Sequence, residues 1–107
     1  MKRKPQSVVN SLDIEAILGM IRLQLPVLRE RFQVGAIGVF GSFARREQRP
    51  RSDLDVLVEF RSPPDLFGLM DLESLLRSMT GRRIDLVSRG ALRGRMGRKV
   101  LDEVVWA

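Results

Sequence analysis

The chain has 107 residues, 44% of them apolar, and a net charge of +6, with Arg supplying sixteen of the nineteen basic residues. That size allows one domain with a modest core, and the basic balance suits nucleotides, nucleic acid or an acidic partner. Cysteine, histidine and tyrosine are absent, which excludes disulfides, a thiol nucleophile, an imidazole base and His-bound zinc, so acid, base and metal-ligand roles fall to Asp and Glu.

Residues 1–10 (MKRKPQSVVN) read as a basic flexible tail ahead of a single domain at 11–107. The tail leads into no short apolar core or small-residue cleavage site, and no apolar run is long enough to span a membrane. The expected location is the cytoplasm. From Leu12 onward, Ile14, Ile17, Leu18, Ile21, Leu25, Leu28 and Phe32 recur at helical spacing, with Asn10 or Ser11 placed to cap the start. The stripe stays in phase across Pro26, which predicts one kinked helix.

Val34–Phe40 (VGAIGVF) is a short apolar run bounded by glycines, the pattern of a buried strand. Gly41-Ser42 ends it, Phe43–Glu47 is expected to form about one helical turn, and Gln48–Ser52 is a polar loop. Asp53–Phe60 is the second strand, with Asp53, Asp55, Leu57 and Glu59 on one face. Pro63-Pro64-Asp65 opens a helix capped by Asp65, with Leu66, Leu69, Leu72, Leu76 and Met79 as its buried stripe and Gly81 as its stop. Arg83–Ser88 (RIDLVS) is a third strand. Leu92–Val105 closes the chain as a helix bearing Leu92, Met96, Val100 and Val104. The order α-β-(α)-β-α-β-α describes an α/β (α+β) fold, a small mixed sheet flanked by helices.

The connections say where chemistry can sit. About a dozen residues join strands one and two, enough for antiparallel neighbours, whereas a full helix joins strands two and three, as a parallel crossover requires. Gly41-Ser42, Asp53, Asp55 and Asp85 then converge on one sheet edge. Asp53 and Asp55, two apart on a strand, share a face, and their hard oxygens suit Mg²⁺ or Mn²⁺. Two such ions about 3.5–4 Å apart would clamp an in-line displacement. Asp85 is the candidate third carboxylate, able to ligate the second ion and help deprotonate an acceptor hydroxyl, or else to pair with Arg82 or Arg83. Gly41 permits a sharp turn and close approach to a ligand, Ser42 can donate its hydroxyl and N–H to phosphates, and Arg45 can steady phosphate charge.

The stretch GSFARREQRPRSDLDVLVEF at 41–60 resembles the minimal nucleotidyltransferase (MNT) family of the DNA polymerase β superfamily, and the likeness extends over roughly residues 12–105 through VGAIGVF, RIDLVS and GRKVLDEVVWA. By position, Gly41 and Ser42 match the family's phosphate-binding turn, Asp53 and Asp55 its metal ligands, and Asp85 its usual third acid. Arg46 departs from the Gly that many relatives carry there. The resemblance implies an enzyme that uses ATP with Mg²⁺, and an antitoxin that transfers AMP to a HEPN-domain ribonuclease partner. With no Tyr in this chain, a tyrosine acceptor would lie on that partner.

Two other readings remain open at this point. One is nucleotidyl transfer to RNA or a small hydroxyl compound; the other is a non-catalytic module that neutralises a partner by binding it. Trp106 reads as a packing or interface residue. The six aromatics do not alternate with basic residues, so a single-strand nucleic-acid surface is weakly supported. The assembly, homo- or hetero-oligomeric, is not legible in these residues.

Overall fold

The computed structural model describes residues 12–107; the expected tail at 1–10 and the capping candidates Asn10 and Ser11 lie outside them. Helix α1 (Ile14–Phe32) is capped instead by Asp13, whose carboxylate accepts from the Ala16 N–H at 3.0 Å. One helix runs through Pro26. An internal proline costs about 3 kcal/mol, but α1 buries Ile14, Ile17, Leu18, Ile21, Leu28 and Phe32. At about 1.5–3 kcal/mol for each buried side chain, packing outweighs that loss.

Strand β1 (Val34–Phe40) has the expected bounds, whereas β2 (Leu54–Phe60) begins one residue after Asp53. Helix α2 (Leu66–Thr80) starts at Asp65, which accepts from the Gly68 N–H at 2.8 Å, and stops at Gly81 in the left-handed region at φ 70°. Only Leu72, Leu76 and Thr80 of α2 are fully buried, and Leu66 projects into solvent instead of joining the stripe. Strand β3 (Ile84–Ser88) follows.

The last segment departs most from expectation. A 3₁₀ turn at Arg89–Ala91 precedes helix α3 (Gly94–Glu103), and Val105–Trp106 forms a short strand β4. Two β-branched valines at 104 and 105 favour extended backbone, and Gly38 lets β4 lie close, since a Cβ there would stand 2.7 Å from Val105 O. Met96, expected in the buried stripe, is exposed.

The sheet runs β3-β2-β1-β4, with β1 antiparallel to β2 and to β4, and β2 parallel to β3. The main core joins α1, α2 and the sheet through Ile17, Leu18, Ile21, Val56, Val58 and Leu72. Among the described residues no helix is long and apolar enough to cross a membrane.

The expected helical turn at Phe43–Glu47 is a wound loop over residues 41–46 instead. The Arg45 N–H donates to Gly41 O at 3.0 Å and the Glu47 N–H to Ser42 O at 2.8 Å. Arg46 sits at φ 60°, in the left-handed region, and so ends any helical run. This is the position where the resemblance led one to expect Gly. Its only counterweight among the described residues is an exposed ion pair with Glu15 at 3.0 Å, worth at most about 0.5 kcal/mol. Arg46→Gly is expected to stabilise the fold by about 0.5–1 kcal/mol, read as a higher urea midpoint.

Candidate active site

The parallel pairing of β2 with β3 and the antiparallel pairing of β1 bring three backbone segments to one sheet edge. In register, Asp55 stands opposite Phe40 of β1 on one side and Asp85 of β3 on the other. Gly41 follows directly from Phe40, so the turn arrives beside Asp55. The approach is close: a Cβ on Gly41 would stand 1.9 Å from Asp55 Oδ2, and Gly41 has φ 74°. Only glycine satisfies both conditions. Phe43, fully buried, anchors the turn in the core, with the Arg82 guanidinium 5.2 Å from its ring centre.

Asp55 carries the electrostatic signature of the site. Burial first, then the charge and hydrogen bonding of Asp85, then the charge of Asp53 push its carboxyl up from 3.8 to about 6, against a smaller opposing effect of Arg45. Two neighbouring acids that oppose the ionisation of a half-buried third are more than a structural sheet edge requires.

Asp53, just ahead of the strand, accepts from Arg83 Nε at 3.1 Å, and both side chains are well exposed. Arg83 therefore pairs with Asp53 and not with Asp85, and Arg82 donates to Pro50 O. The alternative of Asp85 as an arginine-paired strand-end acid is not realised. Among the described residues, no three acidic side chains already converge as a ready-made ion cage. A recess of about 360 Å³ beside Asp53 is lined by Arg51, Ser52, Arg82 and Arg83. The larger cavity of about 550 Å³ around Phe60 and Ser88 lies at the opposite end of β2 and β3 and contains none of these acids.

Ser42 is half-buried on the turn. Arg45 donates from Nη1 to Glu103 Oε2 at 2.9 Å and from Nε to Glu47 Oε1 at 3.1 Å. Those two hydrogen bonds, Glu103's first, raise its pKa further above the ordinary arginine value. Glu103 is the residue that sequence reasoning missed. Its Oε1 accepts the Gly41 N–H at 2.7 Å while its other oxygen holds Arg45, so one carboxylate fixes both the turn and the guanidinium. Burial alone would raise the Glu103 carboxyl, but the hydrogen bonds from Arg45 and Gly41 and the Arg45 charge outweigh it and hold the group below the ordinary glutamate range. The only hint in the sequence was its membership of the closing segment GRKVLDEVVWA. Glu103→Ala leaves a buried N–H without its acceptor and is expected to cost about 1–2 kcal/mol, measured by urea unfolding.

Residues 21–107 match the family model described as the nucleotidyltransferase domain. The chain belongs to that family. This nucleotidyltransferase is 41% identical over 95 residues to the protein adenylyltransferase MntA of Thermococcus cleftensis, covering 89% of the present chain and 96% of the relative. A solved structure of a proposed minimal nucleotidyltransferase is 38% identical, with a TM-score of 0.70 over 88% of this chain and 95% of that one. Two more distant structures share the fold. A toxin–antitoxin complex with AMP-PNP has a TM-score of 0.65 at 22% identity, over 89% of this chain and 72% of that one. The complex of tri-AMPylated Shewanella oneidensis HEPN toxin with its MNT antitoxin has a TM-score of 0.55 at 19% identity, over 94% and 70%. The nucleotidyltransferase is thus an enzyme of the α+β minimal type expected from its sequence.

Proposed function

We propose that this nucleotidyltransferase uses ATP and Mg²⁺ to transfer AMP to a hydroxyl of a protein partner, a HEPN-domain toxin for which it is the antitoxin. The observation that carries the reading is the placing of Asp55 against Asp85 and Asp53 beside a turn that only glycine can make, where burial first and then those two acids raise its carboxyl to about 6. Kinship with a protein adenylyltransferase at 41% identity favours AMP as the group moved and a protein as its acceptor. The AMPylated HEPN toxin bound to a fold neighbour favours the partner class.

The donor set fits a divalent cation. Its oxygens are hard carboxylate ligands, and the repulsion from Asp85 and Asp53 that adds to burial in lifting Asp55 is what a bound dication would relieve. Asp53, Asp55 and Asp85 would hold it, Asp53 after leaving Arg83. Bound there, the ion would supply charge stabilisation at the reacting phosphate and help orient the attacking and leaving oxygens.

The protein's own groups do the rest. The 41–46 turn, with Ser42's hydroxyl and backbone N–H, receives the β- and γ-phosphates. Arg45, kept cationic by Glu103 and Glu47, adds positive charge at the same edge. The acceptor oxygen forms a bond to the α-phosphorus, the bond from that phosphorus to the bridging oxygen breaks, and pyrophosphate leaves. Asp85 Oδ takes the hydroxyl proton.

Incubation of a host lysate with α-³²P-ATP and Mg²⁺ tests the reading. Label in a protein band that disappears with EDTA and with Asp53→Asn/Asp55→Asn is the expected result. Label in RNA alone would overturn the protein acceptor.

A further inference from the structure

Three large apolar side chains stand in solvent on the first two turns of α2: Leu66 at 67% exposure, Phe67 at 75% and Met70 at 52%. Leu66 and Met70 are four residues apart and Phe67 and Met70 three, so the three form one continuous ridge. A lone exposed apolar residue is ordinary, whereas a cluster marks an interaction surface. This ridge is not isolated. Leu66 and Met70 help form one wall of a groove of about 300 Å³ whose other wall is Ile84, Asp85 and Leu86 of β3. Asp85 is also the register partner of Asp55. An apolar ridge therefore leads straight to a carboxylate of the candidate active site. Strand β3 is an edge, paired among the described residues with β2 alone, so backbone donors and acceptors line the same approach.

We infer that this ridge and groove form the docking surface for the acceptor protein, seating an apolar segment that delivers its hydroxyl to Asp85. The inference rests on the protein-transfer reading above. Continuity carries it, because whatever fills the groove has its atoms beside Asp85. Charge narrows the occupant. The ionisable residues lining the groove, Glu73 and Asp85, are both acidic, which favours a segment with Lys or Arg next to the acceptor hydroxyl. A second copy of this chain would bring its own net charge of +6 against the first, a repulsion that disfavours self-pairing. RNA would gain little from an apolar ridge next to two carboxylates.

The test pairs the full chain with the acceptor protein identified by labelling and compares wild type with Phe67→Ser/Met70→Ser. Both side chains are solvent-exposed, so the thermal midpoint is expected to stay within a degree or two of wild type. The KM for the acceptor protein rises about tenfold or more, and the KM for ATP is unchanged. Phe67→Leu/Met70→Leu keeps the acceptor KM close to wild type. Leu23→Ser, altering a side chain 82% exposed on α1 that does not line the groove, changes neither constant. An unchanged acceptor KM in the Ser double variant would overturn the docking surface alone. So would a dimer-to-monomer shift on sedimentation with the KM unmoved, which would mark self-association instead. If wild type itself labels no protein, the transfer reading falls and the docking surface with it.

Discussion

Asp55→Asn is expected to abolish transfer and at the same time stabilise the protein. Loss of a carboxylate that would hold the metal, at the point where charge develops, should lower the rate about a thousandfold or more. The stability gain follows from the direction of the Asp55 shift. Its carboxyl lies at about 6 in the folded chain against an ordinary 3.8, so the folded state binds this proton more tightly than the unfolded state does. The favourable contribution is fully present below pH 3.8 and is lost as pH rises through 6. At neutral pH the ionised Asp55 therefore opposes folding. In full, such a shift corresponds to about 3 kcal/mol, and the partial exposure of the side chain reduces it to about 1–1.5 kcal/mol through solvent screening. Without added metal, Asp55→Asn should be more stable than wild type at pH 7.5, with the difference shrinking toward pH 4. In the metal-free protein Asp55 takes up its proton as pH drops below about 6, so the apparent affinity for Mg²⁺ should fall there. A destabilised Asn variant at pH 7.5 would contradict this account of the site.

Gly41→Ala should have the second large effect, through a different cause. The added Cβ would meet Asp55 Oδ2 at 1.9 Å and Asp55 Cγ at 2.9 Å, in backbone held at φ 74°. The left-handed conformation costs a non-glycine residue about 1–2 kcal/mol, and Asp55 or the turn must also move. A loss of about 2–3 kcal/mol in urea unfolding is expected. Displacing Asp55 relative to the 41–46 turn by even about 1 Å is expected to cost at least a hundredfold in rate. Unlike Asp55→Asn, this variant loses stability and activity together. The two substitutions thereby separate a residue that strains the fold from one that permits the site's geometry.

The fold was legible where local chemistry and long-range packing agree. Val34–Phe40 is a short apolar run with β-branched or aromatic residues at 34, 37, 39 and 40, and Asp65 and Gly81 are good caps whose effects depend on nearest neighbours only. Strand β4 was not legible: Val104, just ahead of it, continues the helical phase of α3, and the strand's partners, Gly38 and Val39, are far away in sequence. The ending of the 43–47 turn depends on one backbone angle at Arg46, which no apolar period records. At the candidate site, the convergence of Gly41, Asp53, Asp55 and Asp85 could be read from strand connections alone, because a parallel crossover aligns strand starts. Glu103 could not, since its hydrogen bond to Gly41 spans 62 positions and the adjacent Asp102 offers a similar acid in the same helix. The face of α2 was misjudged at Leu66 for a related reason. Periodicity identifies an apolar stripe, but not whether it is covered by this chain or left for another.

The most direct measurement is the intact mass of the proposed HEPN-domain partner after co-expression with this nucleotidyltransferase, wild type or Asp53→Asn/Asp55→Asn. The account predicts one or more AMP groups on the partner with wild type, none with the double variant, and ribonuclease activity suppressed only in the modified protein. An unmodified partner silenced equally well by both forms would contradict catalysis and leave a binding module in its place.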